Sequence, residues 1–279
     1  MDYKRPVGMV SCIAIKKGKA ILRVYNMKFS RLFYTMIFLL ACFQVKAKNN
    51  TVDIKIIGDQ RCVSSNGSPE HAIGQFPNKG NPNRFRPQNI KVCVDARPYL
   101  TGKIDRRSTG SGITVSGIII RPGTADWYDS SSPRGFSRDR SSGWNLEGMG
   151  PGNSLGLDHE NAHVDNRGLY HYHGVSPSLV SSLTGTLIGY AADGHEIHYM
   201  GQKAKSSWQL KDGTRPTEPF GAYDGTYNED YSYIAGSGNL DECNGTKTED
   251  GYVYFATHTY PFYPRCFLGR VSKAFKRRK

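Results

Sequence analysis

The chain has no C-x-x-C pair, no Walker loop and no dinucleotide fingerprint. A thiol redox motif, a zinc ribbon, a phosphate-cradling loop and a Rossmann-type cofactor site are therefore not indicated. The apolar run from Leu32 to Phe43 has twelve residues, short of the about 20 that a membrane-spanning helix needs. Helical periodicity is scarce. Ser178 to Leu183 and Ser206 to Leu210 could each give only a turn or two, and 31 Gly and 14 Pro penalise helix interiors repeatedly. The acidic segment 224–250 lacks a D-x-D-x-D-G loop, so the six to eight oxygens of a calcium site are not evident and a solvated, tyrosine-packed face is expected. No internal repeat at a fixed period is visible.

Negative charge is in deficit, with 24 acidic against 37 basic side chains and a formal net charge of +13, but the imbalance is local. Residues 1–47 hold nine Lys or Arg and one Asp, and the last ten residues hold six basic side chains. The body, 48–269, has 22 basic against 23 acidic residues. Specific nucleic-acid binding by this near-neutral body is not indicated, although a basic, disordered tail over 270–279 could touch anionic surfaces.

The N-terminal surplus has another explanation. From Met27, Lys28 and Arg31 form a charged start, Leu32 to Phe43 an apolar run, and Val45-Lys46-Ala47 a small-residue cleavage pattern. Residues 1–47 thus read as an extension plus a secretory signal peptide with translation starting at Met27, and the mature protein as secreted or periplasmic. Leu39-Leu40-Ala41-Cys42 offers the alternative of a lipoprotein anchored through Cys42. Cys62, Cys93, Cys243 and Cys266 remain after the leader. In an oxidising compartment four cysteines permit three pairings. Bridging of neighbours, Cys62 to Cys93 and Cys243 to Cys266, is the expectation, at roughly 3 kcal/mol per loop.

The remaining chain alternates with a period of two. Val52, Ile54 and Ile56 alternate with polar residues, and Ile90 to Val94 and Ile113 to Ile120 are β-branched. Leu187 to Ala192 and Ile197 to Met200 flank Asp193-Gly194, which predicts a two-residue type I′ hairpin with His195, Glu196 and His198 solvated at its tip. Residues 121–154 read as a packed long loop, because Trp127, Tyr128, Phe136 and Trp144 interrupt its Ser and Gly clusters. The expected fold is mainly β: one β-rich domain over 48–269 with hairpins, long loops and a few short helices, stapled by disulfides.

Four of the eight histidines fall in the sixteen residues Asp158 to His173. On a strand through Leu169 to His173, His171 and His173 share one face, roughly 7 Å apart at Cα, and Tyr170 and Tyr172 take the other. Asn166-Arg167-Gly168 fits a three-residue loop with glycine at its left-handed position. That turn pairs Asp165 with Leu169 and His163 with His171, so three imidazoles converge. A two-residue loop would slip the register and turn His163 away.

The same stretch carries a resemblance. L-G-L-D-x-x-N-A-H-V (Leu155 to Val164) followed by G-L-Y-H-Y-H-G (Gly168 to Gly174) resembles the signature of the YHYH-domain proteins. Three further blocks, Leu187 to Gly194, Tyr223 to Gly245 and Pro261 to Gly269, and W-N-L-E at Trp144 to Glu147 are also similar to it, so the signature blocks span 144–269. The resemblance implies a mostly secreted family without an established biochemical activity. One departure is that His195 and Glu196 follow Asp193-Gly194 where the family usually has an aromatic residue and a proline.

His163, His171 and His173 are the candidate ligands of one transition-metal ion, with zinc or copper favoured by nitrogen donors. Asp158 or Asp193 is the candidate fourth ligand or orienting acceptor. Glu147 is a candidate catalytic base. Three readings follow: a secreted metal-binding protein, a metal-dependent extracellular hydrolase or oxidoreductase, and a cell-surface or carbohydrate-binding module with structural histidines.

Overall fold

The computed structural model describes residues 50–151 and 155–276. The leader with Met27, Cys42 and Val45-Lys46-Ala47, and the last three residues of the tail, lie outside the described residues. Strands β1 (Val52–Ile57), β2 (Gln60–Ser65) and β3 (Ile90–Asp95) form an antiparallel sheet in that order. The apolar alternation of β1 does not bury it: every residue of this edge strand is exposed. Val63, Val92 and Val94 instead carry the sheet's core contacts, and Cys62 stands directly opposite Cys93 and is bonded to it.

The Ile113 to Ile120 stretch folds into β4 (Gly112–Thr114) and β5 (Ile119–Ile120). Residues 121–154 hold more structure than a long loop. Within them β6 (Gly123–Tyr128), β7 (Phe136–Ser137) and β8 (Asn145–Glu147) make a three-stranded sheet, with Trp144, Leu146 and Tyr227 clustered against it. Next come β9 (Ala162–Val164), β10 (Tyr170–Tyr172) and helix α1 (Pro177–Ser182). The helix starts at Ser176, whose hydroxyl accepts from the Leu179 amide, with Pro177 at the first helical position, where its missing N–H costs nothing.

Strands β11 (Leu187–Ala191) and β12 (Glu196–Tyr199) form the expected hairpin, but its loop differs. The Ala191 amide donates to His195 and the Gly194 amide to Ala191, so three residues span the turn and only Gly194 takes a positive φ, +95°. A type I′ turn would need positive φ at Asp193 as well. Ser206 to Leu210 is no helical turn, and its last three residues form a strand. In β13 (Trp208–Leu210), paired with β14 (Tyr231–Tyr233), Trp208 packs on Tyr233 and Tyr260, contacts that a five-residue helical preference cannot match. Strands β15 (Gly245–Thr248) and β16 (Gly251–Ala256) complete an eight-stranded sheet of order β15-β16-β12-β11-β4-β5-β10-β9. Its fully buried Ile113, Ile120, Tyr170, Tyr172, Ile188 and Ile197 form the main core. The chain is mainly β, and both expected disulfides are formed, Cys62–Cys93 and Cys243–Cys266.

Two expectations about charged segments need correction. Asp230 in the acidic segment is fully buried, not solvated, because Arg215 donates to both of its oxygens. Residues 270–276 are not a disordered tail. Val271 and Phe275 are buried in the main core, and the Ser272 hydroxyl donates to the Cys93 carbonyl, so apolar burial outweighs the repulsion among nearby cations. Phe275→Ala should therefore destabilise the protein by about 3–5 kcal/mol in urea unfolding. A disordered tail would give almost no change.

Candidate metal centre

The β9–β10 hairpin has the three-residue turn and register expected of it. The Asp165 amide donates to Leu169, the Gly168 amide donates to Asp165, and Gly168 takes φ +87°. His171 stands opposite His163. Tyr170 and Tyr172 point into the core, and the Tyr170 hydroxyl donates to Asp158. His171 and His173 take the other face, only 1% and 2% exposed.

The three imidazoles meet through one nitrogen each. The Nε2–Nε2 distance is 3.1 Å for all three pairs. Their Nδ1 atoms face backbone carbonyls, which only accept: His163 Nδ1 lies 2.9 Å from Leu155 O, His171 Nδ1 3.2 Å from Leu169 O, and His173 Nδ1 3.0 Å from Pro122 O. For His163 and His173 the Nδ1 therefore carries the proton and Nε2 presents a lone pair, whereas His171 Nδ1 is faced both by the Leu169 carbonyl and, at 3.1 Å, by the donor Arg121 Nη2. Protonation does not relieve the arrangement. Burial pushes all three imidazoles below the usual value, strongly for His171 and His173, with the Arg121 charge acting in the same direction.

Lone pairs facing one another in a buried triangle repel, and a cation reverses the sign. Nitrogens about 2.0–2.1 Å from a tetrahedral zinc ion lie about 3.4 Å apart, close to the observed edge. The residues fit a metal ion, and these three histidines form the group able to hold one among the described residues. Gly148 is part of the fit. A Cβ there would fall 2.2 Å from His173 Nδ1, so only glycine lets this backbone lie against the ring.

The expected auxiliary carboxylates are not brought into the cluster. Asp158 accepts from the Tyr170 hydroxyl and the Gly74 and Glu160 amides on the tyrosine face of the hairpin. Asp193 accepts from the Tyr254 hydroxyl and the Gly269 amide and pairs with His195. That contact also corrects His195, which is 5% exposed rather than solvated. His198 pairs with Glu196 and is partly buried. Glu147 is fully buried, accepts from the Met149 amide and pairs with Arg265 at 2.7 Å. Burial pushes its carboxyl up against the pull of Arg265. So held, Glu147 positions Arg265 and does not line the cavity before the triad.

Two motif spellings occur in this region without the structure their chemistry needs. Residues 159–163 spell H-E-x-x-H, which on a helix puts two imidazoles on one face. Here they form a turn entering β9, His159 is exposed, and Glu160 accepts from Ser176 and Ser178 at the start of α1. Residues 152–156 spell G-x-S-x-G. A nucleophile elbow leads into a helix, whereas Leu157 onward runs through a turn into β9; residues 152–154 lie outside the described residues.

Arg121 is the site residue with no local sequence signal. Its Nη2 lies against the His171 ring, 3.0 Å from Nε2 and 3.1 Å from Nδ1, and 3.2 Å from Asp165 Oδ2. Burial raises the cost of ionising Asp165, but the Arg121 charge and the Arg167 and Leu169 amides outweigh it and hold the carboxyl below its usual value. The triad opens on a cavity of about 790 Å³ whose wall includes Arg121, Arg138, Arg167 and Arg265.

A family model described as YHYH protein matches residues 91–269, and the chain belongs to that family. No curated protein and no solved structure matches the chain.

The lowered imidazole values set a pH dependence. An unfolded imidazole takes up a proton near pH 6.5 and the folded ones do not, so stability is complete above that value and falls as pH drops below it. Metal-free protein should lose stability in thermal melts between pH 7 and 5, while the ring nitrogen shifts of His171 and His173 stay those of neutral imidazole at pH 6. Protonation of either ring at pH 6 in the folded protein would contradict this assignment.

Proposed function

We propose that this YHYH protein is an exported domain that binds one transition-metal ion, zinc or copper, through Nε2 of His163, His171 and His173. One observation carries the reading: the Nε2 atoms of three histidines converge on a common centre with 3.1 Å edges, and carbonyls at Nδ1 of His163 and His173 turn the Nε2 lone pairs of those two rings toward it. Nitrogen donors favour zinc or copper over calcium or magnesium. The carbonyls of Leu155, Leu169 and Pro122 orient the rings, as outer partners of metal-bound histidines do.

Export rests on the leader and on the disulfides. Two formed disulfides suit an oxidising compartment, and no helix among the described residues is long and apolar enough to cross a membrane. Cleavage after Ala47 would release the domain in soluble form, and processing at Cys42 would tether it. The near-neutral body gives no support to specific nucleic-acid binding.

The cavity favours a second reading, a metal-dependent extracellular hydrolase or oxidoreductase. Structural zinc sites close four protein ligands around the ion, whereas catalytic ones keep a position open. Three donors facing a cavity match the open kind, and a bound ion would supply Lewis acidity there. A carbohydrate module with structural histidines draws less support from a cluster in which Nε2 of His163 and of His173 both present lone pairs to its centre.

Elemental analysis of protein made without an affinity tag should find about one zinc or copper per chain. His171→Ala should remove it while leaving a soluble, disulfide-bonded protein. Gly148→Ala, by driving a Cβ into the His173 ring, should weaken metal binding about 10–100-fold. Metal at 100 times its Kd should stabilise the fold by about 2.7 kcal/mol, and a chelator should abolish that gain. Untagged protein that takes up no metal, with a melt indifferent to chelator, would refute the reading.

A further inference from the structure

The cavity before the triad has five arginines in its wall, Arg106, Arg121, Arg138, Arg167 and Arg265, against two carboxylates, Asp126 and Asp165. Arg106 is held by Glu242 and Arg265 by Glu147. Arg121 and Arg167 divide the single carboxylate of Asp165. Arg138 is exposed and has no carboxylate partner among the described residues. Asp126 offsets one of these two surplus charges. Neutral imidazoles supply no negative charge, so a divalent ion would leave about three positive charges uncompensated around the cavity.

Arg121 makes the imbalance acute. Its guanidinium lies against the His171 ring, 3.0 Å from the Nε2 that would bind a metal ion and 3.1 Å from Nδ1, so ion and guanidinium would be like-charged neighbours in a partly buried place. An anionic oxygen between them turns that repulsion into two attractions. The planar fork of arginine suits carboxylate, phosphate and sulfate alike.

Resting on the metal reading above, we infer that the cavity takes a small organic ligand through an oxyanion group seated between the triad and Arg121, with Arg138 and Arg167 at its mouth. About 790 Å³ is the size of a small-molecule site and far exceeds one phosphate, and Tyr260 and Phe267 offer apolar wall to the rest of such a ligand. A long polyanion is the poorer match, because the body is near neutral with the cavity arginines counted in.

The test is calorimetric titration of the untagged protein with glucuronate, inorganic phosphate and glucose, before and after metal removal, with metal content measured separately. Metal-loaded protein should bind glucuronate or phosphate at least tenfold more tightly than glucose, and the tighter of the two identifies the group. Chelation should weaken the anion at least tenfold. Arg138→Gln, an exposed change, should do so several-fold with metal content unaltered, and Arg121→Gln more strongly. Protein that loads metal but binds all three probes alike, or whose anion affinity ignores both chelation and Arg138→Gln, overturns this inference alone. So does tight binding of heparin, titrated in parallel, with no response to the small anions. Protein that loads no metal overturns the metal reading and this inference with it.

Discussion

The left-handed turn at Gly168 fixes the register of the β9–β10 hairpin, and the register decides which side chains face the cavity. Side chains alternate along a strand, so a slip of one residue would put tyrosines where the histidines now stand. Asp165 locks the turn. Its carboxylate accepts from the Arg167 and Leu169 amides and also holds Arg121 beside His171. One aspartate therefore ties backbone conformation to the charge that overlooks the triad.

The second layer of the site comes from distant segments. Pro122 and Arg121 lie just before β6, Gly148 just after β8, and Arg265 on the segment stapled by Cys243–Cys266. Arg265 lies 4.8 Å over the Tyr260 ring, is paired with buried Glu147, and donates to Asn228. A pair buried this deeply is costly unless its remaining hydrogen bonds are made. The Met149 amide and the Asn228 side chain make them. Glu147, a candidate base by sequence, is thus spent on holding the cavity wall.

What the sequence discloses and what it conceals follow the range of the interaction. The hairpin is legible because Gly168 and the Tyr-His-Tyr-His alternation are local, and the cysteine pairing because each partner is the nearest one left. The β-rich architecture follows from the period-two runs at 90–94, 113–120 and 187–200, where apolar alternation and β-branching coincide. Arg121 is concealed because 50 residues separate it from His171. The orienting acceptors are concealed too, since a backbone carbonyl carries no residue identity. His195 reads as solvated from its place at a hairpin tip, yet Tyr252, Tyr254 and the Gly269 backbone cover it. The cationic end of the chain reads as disordered from composition, while Val271 and Phe275 between the charges bury it.

The balance between a structural and a ligand-binding role turns on which atoms face one another. A polar core kept for stability pairs donors with acceptors, because each unpaired buried group costs about 1–3 kcal/mol. The tyrosine face of the hairpin obeys that rule: Tyr170 donates to Asp158, and the Tyr172 hydroxyl meets His71 Nε2 at 2.6 Å. The histidine face breaks it. Arg121 lies against the His171 ring, within 3.1 Å of both its nitrogens, and Nε2 of His163 and of His173 meets only other ring nitrogens. Two faces of one short strand thus follow opposite logic within the same core. Folding alone gives no reason for the second, since turning one imidazole over would supply a donor. The carbonyls of Leu155 and Pro122 oppose that flip for His163 and His173, and a cation bound at the centre would make the resulting arrangement favourable.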